Sequence, residues 1–231
     1  MLLIITILGF TLGLLIQVIG DILILEPKYV DAKKACLNFK NQWYYQIKKM
    51  NGLNLLPVIT CFMTLFLYLR TSMMMYFLKD LMFIFMMILI AYIDFKTTYV
   101  YRWTTVITGF IGVSFIALES FRLEQFPINL FLGAFIGFFI IALIVFTTRG
   151  MGEGDIEIAA LCGLFLGVKG VLLTLFLGIV LGGVGGAILL IRRSKGLKDE
   201  MAFGPYLVCG AMISMLWGNQ IIEMYLKFFE I

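Results

Sequence analysis

The chain has 231 residues, 62% of them hydrophobic and 14% charged, with 18 Lys and Arg against 14 Asp and Glu for a net charge of +4. Its mean hydropathy of +1.03 exceeds what a water-soluble domain of this length encloses in one core, so lipid is the solvent for most of it. There is no histidine, and the four cysteines, Cys36, Cys61, Cys162 and Cys209, form no Cys-x-x-Cys pair, which argues against a structural metal site.

Crossing a hydrocarbon core of about 30 Å takes roughly 20 helical residues. Eight apolar runs of suitable length are predicted, at 2–24, 54–70, 75–93, 104–119, 129–147, 156–168, 171–191 and 203–226. The expected fold class is all-α, a polytopic transmembrane helical bundle of about eight spans in one domain, 1–231. The runs are continuous rather than alternating, unlike the strands of a membrane barrel. The first lacks a basic leader and a cleavage site and is read as a retained anchor. A short cytoplasmic segment at about 25–53, with Trp43, Tyr44, Tyr45 and several lysines, is expected to lie against the lipid headgroups. The sixth and seventh runs are separated by a turn at Gly167, Lys169 and Gly170.

With these spans, Lys28, Lys33, Lys34, Lys40, Lys48, Lys49, Lys96, Arg102, Arg149, Arg192, Arg193, Lys195 and Lys198 fall on one side. Arg70, Lys79, Arg122, Lys169 and Lys227 fall on the other. Lys and Arg gather in cytoplasmic loops, so both termini are predicted outside the cytoplasm. Merging the sixth and seventh runs would move Arg192, Arg193, Lys195 and Lys198 across and weaken that asymmetry. Topology accounts for the positive charge, and no nucleic-acid partner is expected.

Charged groups at membrane depth are costly and need a reason. They are Asp21, Asp80, Asp94, Asp155 and Glu223. Asp80 and Glu223 fall toward the outer side, Asp80 beside Lys79. Asp21 sits near the end of the first span, where it marks the exit to water. Asp94 and Asp155 are placed at one depth, at the end of the third span and the start of the sixth. Two carboxylates that share a proton can activate water, and no other hydrolytic constellation exists in this inventory. Each also has a plainer reading. Asp155 follows Gly150-Met151-Gly152-Glu153-Gly154 and suits a helix N-cap, while Asp94 suits a helix end turning into water beside Lys96. Ala202-Phe203-Gly204-Pro205-Tyr206-Leu207 opens the last span, either as a simple helix start or as a turn with room for an extended chain.

Together, Ile93-Asp94, Gly152-Glu153-Gly154-Asp155 and Phe203-Gly204-Pro205-Tyr206-Leu207 resemble the type IV prepilin peptidase family of GxGD aspartyl proteases, over about residues 85–215. The resemblance implies an aspartic endopeptidase of the bacterial inner membrane that removes the short basic leader of prepilin-like membrane proteins at the cytoplasmic face, after a glycine, without a cofactor. It makes Asp94 and Asp155 the catalytic pair. Gly152, Glu153 and Gly154, with Phe203, Gly204 and Pro205, support the site or bind substrate. Many relatives also carry a cytoplasmic tetracysteine insert and methylate the new N-terminus from S-adenosylmethionine. This chain lacks those cysteine pairs, which argues against methyl transfer. It also has Glu157 where Lys is common and no proline soon after Asp94. Glu153 and Glu157 would form an acidic mouth that attracts the basic leader.

Two other readings remain. An ion- or proton-coupled transporter would place carboxylates at the bilayer midplane and repeat its halves, and the sequence shows neither. A presenilin-like GxGD protease would carry a PAL motif where this chain has Phe203-Gly204-Pro205.

Overall fold

The computed structural model describes residues 2–25, 55–71, 73–124, 126–148, 151–191 and 201–228. They form helices α1 (Leu2–Leu25), α2 (Leu55–Arg70), α3 (Met74–Thr97), α4 (Arg102–Leu123), α5 (Ile128–Thr148), α6 (Glu153–Ile191) and α7 (Gly204–Phe228). All except the 16-residue α2 are long and apolar enough to cross a membrane. The all-helical class expected from the sequence is found. Apart from Leu25, the segment expected at 25–53 lies outside the described residues, as do the basic residues Arg149 and 192–198.

The helices group into two compact units, Met1–Thr97 and Thr98–Ile231. In the first, α1 and α2 run antiparallel with their backbones close. A Cβ on Gly9 would lie 2.7 Å from the Cα of Cys61, and one on Gly13 would lie 2.5 Å from the Cα of Pro57. Small residues at such crossings let helices approach where lipid provides no hydrophobic drive between them. The hydroxyl of Thr60 uses that closeness to donate to the carbonyl of Gly9 at 2.9 Å. At the far end of α1, Gly20 receives the ring of Tyr92 from α3.

The second unit is organised by α6. A straight helix of 39 residues would be about 58 Å long, nearly twice the hydrocarbon thickness. The chain instead breaks at Gly167, with φ 71 and ψ −174. Glycines of α5 show what the break does. Gly133 abuts both Gly163 and Gly167, while Gly137 abuts both Ala159 and Val171. Moving along α5, the partner positions fall on one arm of α6 and rise on the other, so 153–166 and 168–191 are antiparallel arms of a hairpin. These arms are the two separate runs expected from the sequence. Asn129 of α5 seals the turn by accepting the N–H of Val168 at 3.4 Å, which satisfies a donor at the start of the second arm.

The other helices follow this hairpin. α4 runs parallel to the first arm, as Thr105 meets Glu157, Gly109 meets Leu161 and Gly112 meets Phe165. α7 runs antiparallel to the second arm, with Leu207 against Gly178, Gly210 against Thr174 and Ser214 donating to the carbonyl of Gly170 at 2.8 Å. The starts of α4, of the first arm and of α7 therefore share one end of this unit. Outward faces are apolar, with Phe110, Phe121, Phe135 and Phe146 all exposed, as a lipid-facing surface requires.

Candidate active site

Asp155 lies at the shared end of the second unit. α6 begins at Glu153, so Asp155 is the third helical residue rather than the cap. Its N–H donates to the carbonyl of Gly152 at 3.1 Å. The side chain is 4% exposed, beside Ile156, Ile158 and Ala159, which are 7%, 0% and 0% exposed. A carboxylate in such surroundings is costly, and the positive end of the helix offsets part of that cost.

The two motif glycines do different things. A Cβ on Gly154 would lie 2.5 Å from the side chain of Val100, so the missing side chain is what lets Val100 pack there. Among the described residues a Cβ on Gly152 would meet Asp155 Oδ2 alone, at 3.9 Å, so a side chain there is not excluded by packing as one at Gly154 is. Glu153 is exposed. Glu157 is engaged within the unit: it accepts the hydroxyl hydrogen of Thr105 and pairs with Arg102 at 3.4 Å. Positions two apart on a helix point about 200° apart, so Glu157 faces α4 while Asp155 faces away from it.

Phe203, Gly204 and Pro205 form the start of α7 at the same end. Phe203 is 6% exposed, with its ring in the notch left by Gly182, where a Cβ would come within 2.6 Å. Its carbonyl accepts the N–H groups of Tyr206 at 3.0 Å and Leu207 at 3.2 Å. Pro205 stands in the first turn, where its missing N–H costs nothing. The aromatic of this motif is thus a packing anchor for α7, and Gly204 is buried with it.

In the first unit Asp94 occupies the last turn of α3 and is 4% exposed, beside Ile90 and Ile93 at 1% each. The helix runs on to Thr97 and closes with Thr98 at φ 52. A β-branched residue in the left-handed region costs about 1–2 kcal/mol, so this helix end is strained. Asp21 was expected to mark the exit to water. Its side chain is 17% exposed and accepts hydrogen bonds from Tyr92 Oη at 2.8 Å and Lys96 Nζ at 2.7 Å. Lys79, expected beside Asp80, has its ammonium 5.5 Å from the ring centroid of Tyr76. The Asp21 contact was missed because it is tertiary, although the i, i+4 spacing of Tyr92 and Lys96 signals a shared face.

Residues 81–187 match the model of the type IV leader peptidase family. That range contains Asp94, Gly152, Glu153, Gly154, Asp155 and Glu157 and stops short of Phe203. A Xanthomonas campestris protein named prepilin leader peptidase/N-methyltransferase is 34% identical over 80 residues, which is 35% of this chain and 28% of that protein. Its namesake in Bacillus subtilis is 33% identical over 97 residues, 42% of this chain and 39% of that protein. Another, in Pseudomonas putida, is 42% identical over 73 residues, 32% of this chain and 25% of that protein. The stretch that resembles the type IV leader peptidase family is a little under half of the chain. The chain's matches span well under half the length of these leader peptidases. No solved structure matches. The match to this family and the six apolar helices of membrane-spanning length among the described residues support an integral membrane protein.

Proposed function

We propose that this leader-peptidase relative is a membrane-embedded aspartic endopeptidase that removes the short basic leader of prepilin-like precursors, with Asp94 and Asp155 as its catalytic carboxylates. The observation that carries the reading is that both acids are 4% exposed at helix ends of apolar segments, inside the range that matches the family. Acids kept there at such cost call for a chemical role. In the proposed reaction the carboxylates reach one water. One, ionised, takes a proton as the water oxygen bonds to the scissile carbonyl carbon. The other, protonated, donates to the carbonyl oxygen. On collapse the C–N bond breaks as a hydroxyl of the tetrahedral intermediate returns its proton to the carboxylate that had donated, and the carboxyl that had taken the water's proton gives it to the departing amine.

The excess of basic residues on one predicted side supports a cytoplasmic site in an inner membrane, with both termini outside. Only the peptidase step is proposed, because the sequence has no paired cysteines like those of methylating relatives. The test is incubation of the purified protein with a prepilin-like precursor and mass analysis of the products. A single cut after the leader glycine is expected. No cut with any of several precursors, or an equal cut by Asp94→Asn/Asp155→Asn, would overturn the reading.

A further inference from the structure

The last turn of α3, which carries Asp94, is weak on its own terms. Its final carbonyls lack helical partners, Thr98 beyond it is in the left-handed region, and the next residues leave the helix. Something outside the helix has to hold this turn at a fixed place.

The first unit contains such a device. Asp21 Oδ1 receives both the Tyr92 hydroxyl and the Lys96 ammonium. Lys96 in turn donates to Tyr92 Oη and lies 4.3 Å from the centroid of its ring. The ring of Tyr92 seats against Gly20, where a Cβ would come within 2.5 Å. One acid on α1 therefore grips α3 on both sides of Asp94, two residues before it and two after. Residues 92 and 96 share a face, and residue 94 points about 200° away. The grip falls on the face of the turn opposite Asp94.

We infer that Asp21 is a positioning residue that, through Tyr92 and Lys96, fixes the depth and rotation at which α3 presents Asp94. Asp94 as a catalytic group rests on the peptidase reading above, but the mechanical link does not. Asp21 also has water-facing partners, since the Lys96 side chain is 42% exposed and that of Asp21 is 17% exposed. An ion pair this open holds little by charge alone. The shared acceptor oxygen and the seated ring are what make it directional.

The test reads the position of residue 94 without relying on catalysis. A Cys placed by Asp94→Cys in the full chain carrying Cys36→Ser, Cys61→Ser and Cys209→Ser is labelled with a water-soluble maleimide in detergent, and Cys162, 0% exposed, is the internal control. With Asp21 present, labelling at 94 is expected to be slow. Asp21→Asn or Tyr92→Phe is expected to speed it at least tenfold while Cys162 stays protected, and Asp21→Glu is expected to restore slow labelling. With Asp94 intact, the same variants are expected to lower kcat and leave KM nearly unchanged. Unchanged labelling at 94, or labelling of Cys162 as well, would overturn the positioning role. Absence of cleavage by the unaltered protein would overturn the peptidase reading instead, with the labelling result still deciding the link.

Discussion

Val100 fills the space that a side chain on Gly154 would need, at 2.5 Å from where its Cβ would stand. The segment entering α4 is thereby locked to the helix start that carries Asp155. Gly154→Ala is expected to destabilise the protein by about 1–3 kcal/mol through overpacking and to slow cleavage further by shifting Asp155. Adding Val100→Ala should recover most of both losses. Thermal unfolding in detergent together with the cleavage rate checks this, and a Gly154→Ala protein as stable and active as its parent would refute it.

Glu157 is held by Arg102 and Thr105, so it is a different kind of acid from the exposed Glu153. Glu153→Lys is expected to weaken cleavage of basic-leader substrates and to spare neutral ones. Glu157→Lys faces Arg102 with a like charge and should weaken cleavage of both kinds. The Arg102 side chain is 79% exposed, so the stability change stays within about 1 kcal/mol. Recovery in Glu157→Lys/Arg102→Glu is expected. Equal leader selectivity in the two single variants would contradict this division of roles.

The hairpin turn of α6 rests on a backbone conformation that other residues resist. Gly167 has φ 71, and a Cβ there would come within 2.6 Å of the Asn129 amide nitrogen. Gly167→Ala is expected to cost about 1–3 kcal/mol, with Asn129→Ala costing less because it loses only the bond to Val168. Unfolding midpoints measured side by side check the order. A neutral Gly167→Ala would mean the arms do not meet at that turn.

Much of this fold is legible in the sequence because apolar runs bounded by charges mark spans directly. Even the turn inside α6 showed itself, since Gly167, Lys169 and Gly170 interrupt an otherwise unbroken run. Helix ends were harder. α4 was expected to stop at residue 119 and runs to Leu123, because Glu119, Ser120 and Arg122 continue a helix as readily as they end one at a membrane edge. The candidate acids stand out in the sequence as costly charges at membrane depth, but the contacts around them do not. Val100 beside Gly154, Thr105 beside Glu157 and Asp21 beside Lys96 are tertiary contacts, and no periodicity encodes them. The seat of the Phe203 ring against Gly182 is likewise a tertiary contact that the Phe-Gly-Pro pattern does not encode.

The central claim is that Asp94 and Asp155 work as one unit, and the kinetics of the paired variants test it most directly. Cleavage of one prepilin-like substrate is measured for the parent protein, Asp94→Asn, Asp155→Asn and the double variant, each shown to be folded. Residues that act together lose activity non-additively. Each single variant should therefore be about as inactive as the double, with kcat down at least a thousandfold. Full activity in either single variant, or two modest losses that multiply in the double, would contradict the claim.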